Sequence, residues 1–312
     1  MYKKRMERKN YMRIAITGGT GFVGKHLTDF LLSKRHEVFI LTRNAAKKSH
    51  HPNLQYIEWL GTNNAPENKL KEVDAIINLA GESLNSGRWT EIRKKRIVDS
   101  RLSATKEILR IIARLKKKPK VLLNASAIGI YGTSTTQTFT EFDTRHGNDF
   151  LAQTVVDWEM EASKATDLGV RTCFLRLGVV LGEKGGALSR MVLPYHFFIG
   201  GTIGSGKQWL SWIHIDDVIN GIDFLLQNEN ISGPFNFTAP NPMQMMNFGK
   251  TIGKVLNRPH WLPVPDFALK LLLGEMSILV LEGQRVLPKK LESHGFTFTY
   301  DSLEKALSHI LK

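Results

Sequence analysis

Short apolar runs alternate with longer stretches of helical periodicity through the first 180 residues of the chain. Apolar runs of this length are typical of buried strands, and apolar residues three and four apart are typical of helices. The pattern predicts strands at 13–17, 37–41, 54–59, 75–79, 121–125 and 171–177. It predicts helices at 24–34, 92–115 and 150–167. Strands that alternate with helices indicate an α/β fold, with a parallel sheet covered on both faces.

A glycine-rich turn follows the first predicted strand and opens the first predicted helix. Gly18, Gly21 and Gly24 are spaced by three in Thr17-Gly-Gly-Thr-Gly-Phe-Val-Gly24. The first glycine permits a tight turn, the second lets the backbone approach a pyrophosphate, and the third lets helix and strand pack closely. The helix N-terminus offers free N–H groups and a positive dipole end to phosphates. In this context the turn predicts a Rossmann-type, doubly wound domain that binds a dinucleotide.

The end of the second strand indicates which dinucleotide is bound. An NAD site usually places Asp or Glu there, where the carboxylate accepts hydrogen bonds from the ribose hydroxyls. Here the strand ends at Leu41-Thr-Arg43, with Lys47 and Lys48 nearby. A guanidinium can pair with a 2′-phosphate and stack on adenine. We therefore expect NADP(H) rather than NAD, although Arg43 can also be read as an exposed loop arginine.

The pattern changes beyond residue 178, where glycines become frequent. Strand-like and helical periodicity returns at 213–226, and residues 267–312 are mostly helical. We expect the NADP(H)-binding domain to comprise residues 12–177 plus about 213–238. A smaller C-terminal substrate-binding lobe would comprise residues 178–212 plus about 239–312. Residues 1–11 are polar and basic and are expected to form a disordered extension.

Composition narrows the possible partners. The single cysteine, Cys173, excludes an intrachain disulfide and fits a reducing cytoplasm, which is the expected location. Apolar runs stay short of the ~18 residues that a membrane-spanning helix needs, so no membrane partner is expected. The formal net charge of +14 raises nucleic acid as a partner, but the basic residues are spread out and no nucleic-acid motif accompanies them. With one cysteine, and with His50 and His51 adjacent, the sequence predicts no metal site.

Several segments resemble the extended short-chain dehydrogenase/reductase superfamily. They are Thr17–Gly24, Asn78-Leu-Ala-Gly81, Ile130-Tyr-Gly132, Arg176-Leu177 and Trp212-Ile-His-Ile-Asp-Asp217. Others resemble one subgroup, the "epimerase family proteins" with a short C-terminal domain of unknown function: Ala80-Gly-Glu-Ser83, Ser126-Ala-Ile-Gly-Ile-Tyr131, Asp157-Trp-Glu159 and Gln284-Arg-Val-Leu-Pro-Lys289. The resemblance runs from about Met12 to the C-terminus. It implies an NADP(H)-dependent oxidoreductase or epimerase-like enzyme acting on a small or sugar-like alcohol or carbonyl.

The turn and the resemblance together imply a set of cofactor-binding residues that follows the carboxyl ends of the strands. These residues are Gly18, Thr20, Gly21, Phe22, Val23, Gly24, Thr42, Arg43, Trp59, Leu79, Ala80, Gly81, Glu82, Ala125, Leu177 and Val179.

The chain departs from the superfamily in its acid–base residues. The superfamily uses a Tyr-x-x-x-Lys pair on one helix face, in which the lysine lowers the tyrosine pKa and holds the nicotinamide ribose. Here the corresponding helix carries Phe150 and Thr154, and the usual hydroxyl position is Ala127. Ser126 and Tyr131 are the candidate catalytic residues, although Tyr131 can also be read as lining the floor of the site. The missing pair leaves open an alternative function, a non-catalytic NADP(H)-binding sensor or interaction protein.

Three further residues have alternative interpretations. Glu82 can act as a base or hold a ribose hydroxyl, or it can cap a helix. Arg88 can bind an anionic substrate group or be a surface charge. His214 lies in a strand-like run and is interpreted as a structural histidine.

Overall fold

The computed structural model describes residues 11–46, 51–61, 64–183 and 185–312. The strands are β1 (Arg13–Thr17), β2 (Glu37–Thr42), β3 (Leu54–Glu58), β4 (Ala75–Asn78), β5 (Val121–Ala127), β6 (Thr138–Phe139), β7 (Arg171–Leu177), β8 (Val179–Leu181), β9 (Trp209–Leu210), β10 (Trp212–His214), β11 (Gly233–Phe237), β12 (Met243–Gln244) and β13 (Arg285–Val286). The helices are α1 (Phe22–Ser33), α2 (Glu91–Arg114), α3 (Phe150–Ser163), α4 (Leu188–His196), α5 (Ile215–Gln227), α6 (Met245–Leu256), α7 (Asp266–Leu273), α8 (Ile278–Leu281), α9 (Lys289–Ser293) and α10 (Leu303–Leu311). Single 3₁₀ turns lie at Pro66–Asn68, Ile128–Tyr131, Thr166–Leu168 and Gly274–Ser277.

A seven-stranded parallel sheet forms the centre of the molecule. Its strand order is β11-β7-β5-β4-β1-β2-β3, and every neighbouring pair is parallel. The chain runs outward from β1 through β2 and β3, and then crosses back to β4 on the other side of β1. Ligands of such sheets bind where the strand order reverses, at the carboxyl ends of the strands. The predicted Rossmann-type α/β fold is confirmed, and β11 is a seventh strand that the apolar pattern did not predict.

Alternation along the strands gives the sheet two apolar faces. Ile14 and Ile16 of β1 pack in one cluster with α1 and α5, whereas Ala15 packs in another cluster with α2. Residues one apart on a strand point to opposite faces, so a strand that is buried on both faces is apolar throughout. Burial on both faces therefore explains why the sequences of the central strands are almost entirely apolar.

The remaining elements gather around a third apolar cluster. Trp212 and Phe248 are fully buried there together with residues of α4, α6 and α10. Three two-stranded pairings, β10 with β8, β12 with β9 and β13 with β6, connect these elements. Among the helices of the described residues, none combines the length and the apolar character needed to cross a membrane.

Candidate cofactor and active site

The turn between β1 and α1 is too tightly packed for side chains at two of its glycines. Gly18 has a φ of +67°, and a Cβ added there would lie 2.5 Å from the carbonyl oxygen of Leu79. A Cβ on Gly24 would lie 2.3 Å from the carbonyl oxygen of Gly18. Both distances are shorter than any tolerable contact, so the close approach of β1, α1 and the end of β4 requires glycine at these positions.

The first turn of α1 is left without a side-chain cap. Gly21 is the N-cap residue, and its own N–H donates to the carbonyl of Gly18 at 2.9 Å. A Cβ on Gly21 would meet only that same carbonyl, at 3.2 Å. Thr20 is exposed beside it, while Phe22 and Val23 pack toward the core. The free backbone N–H groups at this uncapped helix N-terminus could therefore donate hydrogen bonds to a diphosphate.

Buried hydrogen bonds fix the end of β4 against this turn. The Thr17 hydroxyl donates to the Asn78 side-chain oxygen at 2.6 Å, and the Asn78 amide donates to the Asn124 side-chain oxygen at 2.6 Å. The backbone N–H groups of Leu79 and Ala80 donate to the Thr17 hydroxyl. The segment that leaves β4 is therefore held at the point where the strand order reverses.

A small pocket of about 330 Å³ lies between the turn and the end of β2. It is lined by Thr20, Thr42, Asn44, Ala46 and Tyr56. Arg43 is exposed between two of these residues. Trp59, another predicted cofactor residue, is instead buried in the apolar cluster under the sheet. Lys47 and Lys48 lie outside the described residues.

A larger cavity of about 430 Å³ opens at the carboxyl ends of β4, β5 and β7. It brings together eight of the residues that the sequence singled out: Leu79, Ala80, Gly81, Glu82, Ala125, Ser126, Leu177 and Val179. Its opposite wall comes from residues 209–211 and 278–284, far along the chain.

Glu82 and Arg101 are the charged groups on the β4 side of this cavity. The Glu82 carboxylate pairs with Arg93 and with Arg96, the latter at 3.1 Å, so it is not a free base. One nitrogen of the Arg101 guanidinium donates to the backbone carbonyls of Glu82 and Ile97, at 3.2 and 2.9 Å. Burial lowers the pKa of Arg101 to about 10, which leaves it charged near pH 7. In the described part of the chain Arg101 forms no ion pair.

Sequence reasoning missed Arg101, although a signal was present. The buried face of α2 runs through Ile97, Ala104, Thr105 and Ile108. Arg101 falls on that same face, four residues after Ile97, and its guanidinium lies 5.2 Å from the Trp158 ring centroid. A charged residue within a buried helical stripe points to a partner or a ligand.

The two candidate catalytic hydroxyls belong to one buried hydrogen-bond network. Ser126 lines the cavity and donates its proton to the carboxylate of Glu159. Arg176 binds the same carboxylate through two nitrogens, each at 2.8 Å, and donates to the Tyr131 hydroxyl at 2.9 Å. The Tyr131 hydroxyl in turn donates to Asn236 at 2.8 Å.

Burial and nearby charges shift the pKa values of Arg176 and Tyr131 in opposite directions. Burial disfavours the charge on Arg176, but the hydrogen bonds and charge of Glu159 outweigh it and raise the pKa of Arg176. Burial also raises the pKa of Tyr131, despite the nearby guanidinium. Tyr131 therefore stays protonated and does not resemble an activated phenol.

The helix that lacks the Tyr-x-x-x-Lys pair fills its two positions differently. Phe150 packs edge-on against Trp89, with ring centroids 5.4 Å apart, and lies outside the lining of the large cavity. Thr154 lines the cavity, but its hydroxyl donates to the backbone carbonyl of Phe150 at 2.7 Å. Neither side chain offers a titratable proton.

Two residues with alternative interpretations have defined partners. Arg88 donates to the carbonyls of Leu271 and Leu272, at 2.7 and 3.1 Å, and so caps the C-terminus of α7. His214 is buried as the N-cap of α5 and lies 3.2 Å from a ring nitrogen of His309. Asp216 is close to this pair, and one ligand atom from each of the three residues lies within 4.8 Å of the others.

Comparison with known proteins identifies the family. Residues 14–237 match the NAD dependent epimerase/dehydratase family, and residues 264–310 match a domain of unknown function, DUF1731. The chain is 53% identical to the epimerase family protein YfhF of Bacillus subtilis, over 96% of this chain and 98% of that one.

Solved structures agree with this assignment. The human epimerase family protein SDR39U1, solved with NADPH, is 32% identical with a TM-score of 0.85, over 96% of this chain and 99% of that one. A nucleoside-diphosphate sugar epimerase from Corynebacterium glutamicum is 32% identical with a TM-score of 0.78, over 97% of this chain and 59% of that one. The chain belongs to the NAD dependent epimerase/dehydratase family.

Proposed function

We propose that the protein is an NADP(H)-dependent oxidoreductase or epimerase-like enzyme of the extended short-chain type. The β1–α1 turn carries this proposal, because Gly18 and Gly24 have no room for a Cβ and Gly21 leaves the helix N-terminus open. That arrangement suits a diphosphate at the point where the strand order reverses. The NADPH in the human relative supports NADP(H) as the cofactor.

The residues around the turn suggest how a dinucleotide would be held. The turn from Gly18 to Gly24 would bind the diphosphate, and the pocket lined by Thr42 and Asn44 would hold the adenosine end, with the exposed Arg43 beside it. The large cavity, from Leu79 to Val179, would receive the nicotinamide and a small or sugar-like substrate. On this proposal residues 12–177 plus about 213–238 form the cofactor domain. Residues 178–212 plus about 239–312 form the substrate-binding lobe.

Arg101 is proposed to supply the charge that Thr154 lacks. In the superfamily the lysine at that helix position holds the nicotinamide ribose. Here the Arg101 guanidinium lies over Trp158, one helical turn beyond Thr154, and faces the same cavity. Its uncommitted nitrogens could donate to ribose hydroxyls from the α2 side.

Ser126 is proposed as the hydroxyl that contacts the reacting oxygen. Its proton is already donated to Glu159, so its oxygen is left to accept a hydrogen bond from a substrate hydroxyl. A bound nicotinamide would supply the hydride chemistry. Tyr131 is the weaker candidate, because its hydroxyl joins Arg176 to Asn236 and is absent from the cavity lining.

A second candidate function is supported by the same network. Ser126 and Tyr131 both direct their protons into the buried network, while Phe150 and Thr154 provide no acid. A sensor or interaction protein that binds NADP(H) without turnover would need the binding site but no proton donor in it.

One measurement tests the choice of cofactor, and a second separates the enzyme from the sensor. Arg43→Asp should lower the ratio of NADPH to NADH affinity at least about tenfold, since it removes a phosphate partner and adds repulsion. An unchanged ratio would mean that the 2′-phosphate is not read by Arg43. NADPH oxidation with a panel of carbonyl compounds should reveal slow turnover that Ser126→Ala reduces at least about tenfold. Tight NADPH binding without turnover on any compound would favour the sensor.

A further inference from the structure

Six large apolar side chains are exposed at the end of α4 and in the segment from Trp261 through α7. Phe197 and Phe198 at the end of α4, Trp261 before α7, and Phe267, Leu271 and Leu272 on α7 are all exposed. We call these six residues the aromatic–leucine surface. Clustered apolar exposure of this kind marks interaction sites, whereas singly scattered apolar residues need no explanation.

Contacts hold the aromatic part of this surface in place. The Trp261 indole N–H donates to the carbonyl of Phe198 at 2.9 Å, yet 63% of the residue stays exposed. The guanidinium of Arg258 lies 4.4 Å from the centroid of the Phe198 ring. The polar atom of the tryptophan is thus satisfied while its ring faces outward, which suits a boundary between water and an apolar phase.

Helix α7 packs Leu273 against the cluster of Trp89 and Met276 but leaves its other face uncovered. None of its eight residues is buried, although its sequence is Asp-Phe-Ala-Leu-Lys-Leu-Leu-Leu. Phe267 and Leu271, four residues apart on one helix face, are 73% and 78% exposed. A helix this short is marginal in water without packing. Arg88 fixes its C-terminal carbonyls, and its apolar face remains available.

The charge of the segments that carry this surface favours an anionic bilayer over a second copy of the chain. Segments 188–207 and 245–273 carry six Lys and Arg residues and one carboxylate, Asp266. One of the six, Lys254, is paired with Glu304. A second copy docked through the same surface would bring like charges together, which opposes a symmetric dimer. An anionic bilayer instead attracts the basic groups and accepts the aromatic and leucine side chains.

We propose that the aromatic–leucine surface docks the protein on anionic lipid bilayers, as a peripheral contact with no spanning segment. This goes beyond the proposed function and does not depend on it. It also departs from the sequence expectation of no membrane partner, because apolar periodicity does not reveal which apolar faces the fold leaves uncovered.

Sedimentation of the full chain with sucrose-loaded vesicles tests the proposal. Phosphatidylcholine vesicles with about one third phosphatidylglycerol should bind the protein near 0.1 M salt, and pure phosphatidylcholine vesicles should bind it weakly. Phe267→Ser with Leu271→Ser should lower the bound fraction at least about fivefold. The matched control is Phe142→Ser with Met160→Ser, which removes two exposed apolar side chains outside this surface and should leave binding unchanged.

Three outcomes would overturn the proposal. The first is no sedimentation with anionic vesicles. The second is binding that survives Phe267→Ser with Leu271→Ser, which would assign it to other basic parts of the chain. The third is a wild-type dimer in analytical ultracentrifugation that this double variant converts to monomer, which would show that a second copy covers the surface. Unchanged thermal unfolding of the double variant would confirm that it is folded.

Discussion

The β1–α1 turn and the region from β5 to α3 present opposite ways of building a site. At the turn the backbone itself is the proposed binding group, and Gly18 and Gly24 are required because a Cβ there would lie within 2.5 Å of a backbone carbonyl oxygen. In the β5–α3 region the relevant groups are side chains with distant partners. Tyr131 contacts Arg176, 45 residues away, and Asn236, 105 residues away. The glycine motif of the first site is recognisable within eight consecutive residues, whereas the partners of the second site come together only in the fold.

The largest expected effect tests whether the β5–α3 network is mainly structural. Arg176→Met would leave the Glu159 carboxylate buried without its cation, which should cost about 3–5 kcal/mol of unfolding free energy. Urea unfolding would measure this. The control is Lys120→Met, which breaks the solvent-exposed pair with Glu229 and should barely move the unfolding midpoint. Equal losses of unfolding free energy in the two variants would contradict the claim that the β5–α3 network is mainly structural.

The sequence predicted the sheet and the turn because both depend on local patterns. Short apolar-rich runs identified six of the seven sheet strands, while β11, Gly-Pro-Phe-Asn-Phe, was missed because glycine and proline interrupt it. The pairing of Ser126 with Glu159 was not predictable, since the two residues meet only after α3 packs on β5. Arg101 could have been found from the buried stripe of α2.

The second effect tests the two ends of the proposed cofactor site separately. Arg101→Gln should weaken NADPH binding about tenfold, because the guanidinium faces the cavity proposed for the nicotinamide. Adenosine 2′,5′-bisphosphate, which lacks the nicotinamide half, should bind the variant and the wild type equally. Isothermal titration would measure both ligands. Equal weakening of both would show that Arg101 acts on the fold or on the adenosine end instead.

The smallest effect concerns pH and Glu141, a buried carboxylate that contacts the backbone of Asn236. Burial raises the pKa of Glu141, whose carboxylate accepts from the backbone N–H of Asn236 at 2.8 Å. The folded protein then holds this proton at pH values where the unfolded chain has lost it, so stability falls as pH rises above about 4.5, through the folded-state pKa.

Glu141→Gln should flatten this part of the stability profile. Urea midpoints between about pH 4.5 and 7 would be compared with those of Glu58→Gln, which changes an exposed strand residue. A slope that is the same in wild type and Glu141→Gln would exclude Glu141 as its source.

The central claim, that the β1–α1 turn holds NADP(H), is tested most directly by titrating NADPH into the wild type and Gly21→Asp. A carboxylate at the N-terminus of α1 would face the diphosphate and repel it, so affinity should fall at least about tenfold, or ~1.4 kcal/mol, while the thermal midpoint is not lowered because Asp is also a favourable N-cap residue. Ser33→Asp, which adds the same charge at the exposed far end of α1, should keep wild-type affinity. Gly21→Asp binding NADPH as tightly as the wild type would contradict the claim.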